Sequence, residues 1–108
     1  MKKKDFITIL SSEQKSKLKA LAHHLKPLVK IGNQGFSDSV KKEIAQALDF
    51  HELIKVQLPP DTNAKTKEET QLELLSCLPT HAHMVSRIGR TLILYLEKDS
   101  AEKKISLK

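Results

Sequence analysis

The residues from Lys26 to Ser39, KPLVKIGNQGFSDS, hold the most specific chemistry in this chain. They read as an extended run, a Gly32-Asn33-Gln34-Gly35 loop and the capped start of a helix. Gly32 and Gly35 lack a Cβ, so the loop can lie flat against a ligand. Ser37 is the expected N-cap, and the helix behind it would direct unpaired N–H groups and partial positive charge at the loop. A phosphate suits such a place. Lys26 and Lys30 on the approach, and Lys41 in the helix start, add mobile charge for a polyanion. A Gly-x-x-Gly by itself is matched by many ordinary turns, so the rest of the chain has to decide its meaning.

Other constellations carry less. Cys77, His81 and His83 can be drawn as a metal site, but a structural zinc takes four ligands at set spacings. A buried free cysteine beside loop histidines is the preferred reading, and no metal or cofactor is expected. A nuclease or phosphotransferase would need clustered carboxylates or a paired acid and base. Glu43, Asp49, Glu52, Glu68, Glu69 and Glu73 instead fall at spacings that suit solvation or lysine pairing on helix surfaces. No GK[ST] follows the glycines, so there is no Walker loop. The pattern does not point to an enzyme or to a small-molecule substrate.

The elements that must position the loop follow from capping and periodicity. Ser11 with Gln14 forms a capping box, followed by Leu18, Leu21, Ala22 and Leu25 at helical spacing until Pro27 ends the run. Lys15, Lys19, His23 and Lys26 fall on one side of that stripe. Leu28 to Ile31 reads as a strand with Val29 and Ile31 on one face. A second helix carries Val40, Ile44, Ala47 and Leu48 inward and should end near His51. Leu53 to Leu58 is a second strand, closed by Pro59-Pro60. Strand, helix and strand in this order predict a parallel βαβ unit. Thr66 with Glu69 starts a third helix that buries Leu72, Leu75 and Leu78. Met84 to Ile88 and Thr91 to Leu96 flank Gly89-Arg90, a tight-hairpin signal. The run from Leu92 to Leu96 is apolar on both faces and should be central. The expectation is an α/β fold, a two-layer sandwich with a mixed four-stranded sheet in α-β-α-β-α-β-β order. Residues 1–10 read as a basic N-terminal extension, 11–98 as one domain and 99–108 as a charged tail in which Ile105 and Leu107 could add edge pairing.

Composition bounds the function. Nineteen Lys and Arg face thirteen Asp and Glu, a net charge of +6, a balance that attracts nucleic acid or an anionic surface. One cysteine fits a reducing compartment. No apolar run approaches the roughly 18 residues of a membrane span, and the N-terminal MKKKDFITIL lacks the apolar core and cleavage site of a signal peptide. A cytoplasmic protein without membrane contact, expected to be a monomer, is the consequence. Aromatic residues are only 4% of the chain, so a stacking surface for single strands is not indicated. Phe36, beside the loop, is the best placed ring, and it equally suits a plug packed beneath the loop.

LKALAHHLKPLVKIGNQGFSDSVKKEIAQALDFHELIKVQL, followed by IGRTLILY, resembles the bacterial YhbY-type CRM domain, named for chloroplast RNA splicing and ribosome maturation. The similarity runs from about Ser11 to Tyr95. The resemblance implies an RNA-binding module similar in fold to the C-terminal domain of translation initiation factor three. It also implies association with ribosomal RNA of the large-subunit precursor, in a role assisting ribosome assembly. The family's GxxG maps onto Gly32, Asn33, Gln34 and Gly35, its basic first helix onto Lys15, Lys19 and Lys26, and its hairpin cation onto Arg90. Leu96 stands where many relatives carry Arg. Lys30 and Lys41 complete the expected RNA-binding face. The alternative is an adaptor that docks on a ribosomal protein or assembly GTPase, with its charge serving solubility.

Overall fold

The computed structural model describes residues 9–32, 36–62 and 65–98. Asn33, Gln34 and Gly35 of the loop, most of the N-terminal extension, and the tail with Ile105 and Leu107 lie outside the described residues.

Each helix begins where its cap demands. Ser11 Oγ accepts from the Gln14 N–H at 3.1 Å and Gln14 Oε1 accepts from the Ser11 N–H at 2.8 Å, closing the box that starts α1 (Ser12–Ala22). Leu18 and Ala22 are buried, but α1 stops three residues earlier than the leucine spacing suggests. The His23 and Leu25 N–H groups bond back to Ala20 and Ala22, tightening the last turn, and Pro27 holds Lys26 out of helical geometry. Leu25 is therefore exposed rather than packed, and Leu21, inside the helix, is exposed as well. In α2 (Asp38–His51) the Ser37 hydroxyl accepts from the Val40 N–H at 3.3 Å. Ile44 and Leu48 are buried, and Val40 and Ala47 pack beside them, as expected.

Thr66 and Glu69 form the second capping box, opening α3 (Lys67–Ser76). Its buried residues are Thr70 and Leu74, with Leu75 and Leu78 half-buried. Leu72 is 66% exposed, contrary to expectation, because two residues advance a helix by about 200°, so Leu74 inward turns Leu72 outward. Cys77, expected to be buried, is exposed where α3 ends.

The four strands are β1 (Val29–Lys30), β2 (Leu53–Gln57), β3 (Ala82–Ile88) and β4 (Thr91–Leu96), in the spatial order β1-β2-β4-β3. β1 runs parallel to β2, and β4 is antiparallel to both its neighbours, so the βαβ unit and the central position of β4 are as expected. Gly89 takes φ 61 in the two-residue β3–β4 turn, the backbone region a Cβ resists. β3 starts two residues earlier than the apolar run, at Ala82, and is irregular at Val85 between Met84 and Ser86.

Side-chain alternation divides the core in two. Val29, Ile31, Ile54, Val56, Leu92 and Leu94 pack with Ile44 and Leu48 of α2 and Leu74 of α3. On the other face, Leu53, Val85, Ile93 and Tyr95 pack with Leu10, Leu18 and Ala22. The mixed-sheet α/β sandwich is thus present, with α1 adding a layer behind the sheet. Among the described residues, α1 covers Leu53, Val85, Ile93 and Tyr95, while further along the same face Lys30 is exposed and Gln57 half-buried.

Candidate nucleic-acid interface

Strand register brings the central part of the expected site together. Lys30 pairs with Gln57, and Gln57 pairs with Thr91, which directly follows Arg90. The Leu58 N–H donates to the Arg90 carbonyl at 2.6 Å, tying the hairpin turn to the end of β2. Gly32 leaves β1 at this same end, held by the Ile31 N–H bond to Gln57 at 2.9 Å. Lys30, Gly32, the entrance to α2 and Arg90 therefore share one end of the sheet.

Gly32 is exposed, and a Cβ built on it would meet no atom within 4 Å. Its φ is not in the left-handed region, where Gly89 is the one described glycine. Neither crowding nor backbone conformation within the described protein requires glycine at this position. Phe36 is half-buried against the α2-side core, and Lys41 Nζ sits 5.7 Å from its ring centroid. Lys41 also meets Asp38 at 3.4 Å, so its charge is shared within the protein. The plug reading of Phe36 fits this packing.

The flanking cations divide. Lys15 lies beside Ala82, His83 and Met84, at the start of β3 on the opposite sheet edge from Gly32. Lys19 is one turn further along α1 and exposed. Lys26 has left the helix and stands with Leu25, Leu28, His51, Leu53 and Ile54 near the start of β1. The single helical stripe expected for Lys15, Lys19, His23 and Lys26 is therefore broken at Ala22.

Lys55 belongs with this group, although its charge carries no signal in the sequence beyond a polar residue inside a strand. It follows Ile54 on the α1-side face, and its carbonyl accepts from the Leu28 N–H at 3.0 Å. That register puts Lys55 diagonal to Lys30, within roughly 7–8 Å between backbones. Among the described residues, no ion pair is recorded for Lys26, Lys30, Lys55 or Arg90, whereas Lys65, Lys67, Arg87 and Lys98 each meet a carboxylate.

A few of the remaining titratable groups are turned inward. Glu52, read from spacing as a helix-surface acid, is fully buried in a positive-φ cap, and its carbonyl accepts from the Leu96 N–H. Glu97 is also buried. His83 stacks on Tyr95 with centroids 6.3 Å apart. Burial holds the His83 imidazole below its usual pKa, with Glu97 opposing the shift. Burial, with the nearby Glu97 and Glu52 charges, pushes the Tyr95 phenol up to about 12. Among the described residues, no three His, Cys, Asp or Glu side chains gather as a metal ion would require, and no helix is long and apolar enough to cross a membrane.

Comparison with known proteins adds the family. An "RNA-binding protein" of Haemophilus influenzae is 42% identical over 103 residues, covering 94% of this chain and 97% of that protein. The Bacillus subtilis protein named "Probable RNA-binding protein YqeI" is 36% identical over 98 residues, covering 89% and 95%. The solution structure of a Staphylococcus aureus protein superposes with a TM-score of 0.69 at 30% identity, over 93% of this chain and all of that one. Residues 10–95, from the buried Leu10 to the buried Tyr95, match the CRS1/YhbY (CRM) domain model, and the chain belongs to that family.

Proposed function

We propose that this protein is a non-catalytic RNA-binding protein of the cytoplasm that grips ribosomal RNA of the large-subunit precursor and assists its assembly. The observation that carries the reading is the group formed by Gly32, Lys30, Lys55 and Arg90 at one end of the sheet. Its cations have no recorded acidic partner among the described residues, and its glycine has no internal reason to be one.

The physical mechanism is backbone recognition. Lysine and arginine side chains neutralise phosphates and release counterions, and such contacts fix position without reading sequence. The N-terminus of α2, fourteen residues long, adds N–H donors and a positive dipole end. Gly32 leaves room for a sugar-phosphate chain to approach the peptide backbone, and Asn33, Gln34 and Gly35 complete the loop in sequence. The names of the Haemophilus and Bacillus relatives support RNA as the partner class.

The test is ultraviolet cross-linking in cells followed by sequencing of the attached RNA. Enrichment of large-subunit precursor RNA is expected. Enrichment of unrelated transcripts would remove the ribosomal assignment, and recovery of a protein partner after RNase treatment without RNA would favour the adaptor.

A further inference from the structure

Strand register arranges the side chains on the α1 side of the sheet in rows. Lys30 of β1 pairs with Gln57 of β2, Gln57 with Thr91 of β4, and Thr91 with Ile88 of β3. Paired residues point to the same face, so these four make one row across all the strands, about 14 Å long at the usual strand spacing. The next row, roughly 7 Å back, carries Lys55, Ile93 and Ser86. Ile93 is buried among the α1-side residues and marks the margin of the helix. At and beyond that margin, Lys30 and Ile88 are exposed, and Lys55, Gln57, Ser86 and Thr91 are half-buried.

We infer that this sheet face takes the minor groove of double-helical RNA, with Gln57, Thr91 and Ser86 bonding ribose 2′-hydroxyls and Lys30, Lys55 and Arg90 meeting phosphates. This rests on the RNA reading above and names the form of RNA bound. Three observations point the same way. The first is the chemistry in the middle of the face. Gln57 offers a carbonyl and an amide N–H, and the Thr91 and Ser86 hydroxyls both donate and accept. None of the three side chains has a hydrogen bond among the described residues. A 2′-hydroxyl, itself donor and acceptor, suits each of them.

The second is the position of the cations. Lys30 stands at the β1 end of the first row, and Arg90 in the turn beside its β3–β4 end. Gln57 and Thr91 hold the two charges apart, as a groove holds apart its two phosphate backbones. The third is the lack of a ring on this face among the described residues. Phe36 packs in the α2-side core, Tyr95 is buried, and Phe50 lies in the last turn of α2, ahead of the end of β2 opposite to Gln57. Single strands are held by stacking bases on rings. A polar face without rings instead suits the wide, shallow minor groove of an RNA helix, whose major groove is too deep and narrow for side chains to read.

The experiment titrates the full chain, at one salt concentration, with a paired RNA duplex, a DNA duplex of the same sequence and the single RNA strand. It compares wild type, the double variant Gln57→Leu with Thr91→Val, and Gly32→Asp, each checked for folding by thermal melting. Wild type should bind the RNA duplex about tenfold more tightly than either other probe. The double variant should bring RNA-duplex affinity down to that of the DNA duplex and leave DNA-duplex affinity unchanged. Thr91→Val alone exchanges a hydroxyl for a methyl and carries the test if the pair does not fold; it should narrow the gap by about threefold. Gly32→Asp should weaken both duplexes without altering their ratio.

If the single strand binds as tightly as the RNA duplex, or if the RNA-duplex preference survives in the Gln57 and Thr91 variants, the face does not read a minor groove and the inference is overturned. The wider RNA reading then still stands on the Gly32→Asp result. If wild type binds neither form of RNA, the RNA reading itself falls, and this inference with it.

Discussion

Two sets of cations in this molecule have opposite surroundings. Around α3 and the outer sheet edge, Lys65 meets Glu73, Lys67 meets Asp61 at 3.4 Å, and Arg87 meets Glu68 at 3.2 Å. The Lys67 N–H also bonds Asp61 at 2.7 Å, holding that exposed carboxyl below its ordinary pKa. Toward β1, Lys26, Lys30, Lys55 and Arg90 have no recorded carboxylate among the described residues. The difference shows that a net charge of +6 is not spread evenly. Of the cations without a recorded acidic partner among the described residues, Lys30 and Arg90 lie at the sheet end where the glycine loop leaves β1.

Both regions rest on one core. Leu94 is fully buried in β4 beneath α2, within the sheet that separates the two charge sets. Leu94→Ala should cost about 2–5 kcal/mol in chemical denaturation, and the loss of both regions together would follow. The next effect concerns the buried titratable corner. The Tyr95 phenol keeps its proton to about 12 in the folded state against 10 when exposed. Its contribution is complete below pH 10 and is lost as pH rises from 10 toward 12. That loss should be on the order of 2 kcal/mol, and Tyr95→Phe should abolish it in an alkaline stability titration. At neutral pH the same variant should be neutral or slightly stabilising, because no partner is recorded for the buried hydroxyl.

Gly32→Asp should weaken binding to ribosomal RNA about tenfold, near 1.4 kcal/mol, with an unchanged melting temperature. An unchanged affinity would mean the loop end is not the contact. The smallest effect is expected on the paired side. Arg87→Gln should cost only about 0.2–1 kcal/mol of stability, as surface ion pairs do, and leave RNA affinity alone.

Local signals in the sequence were sufficient for much of this fold. Ser11, Ser37 and Thr66 cap their helices through contacts within four residues, Gly89 sits in its turn, and the two-faced run from Leu92 to Leu96 lies inside the sheet. What failed depends on tertiary placement. Leucine spacing alone could not separate Leu72, which points outward, from Leu74, which points in. Glu52 looks like a surface acid until the chain buries it, and Cys77 looks like a core residue until α3 ends at it. For the interface, the placing of Gly32 and Arg90 at one end of the sheet needed strand register, Lys55 needed its face of the sheet, and the separation of Lys15 from Gly32 needed the strand order.

The most direct measurement compares two triple variants in RNA affinity against salt concentration. Lys30→Gln, Lys55→Gln and Arg90→Gln combined should reduce the slope of log affinity with log salt by about 2. Lys65→Gln, Lys67→Gln and Arg87→Gln combined should leave that slope as in the wild type. Equal slopes in the two variants, or a larger loss from the second, would contradict an interface at the β1 end of the sheet.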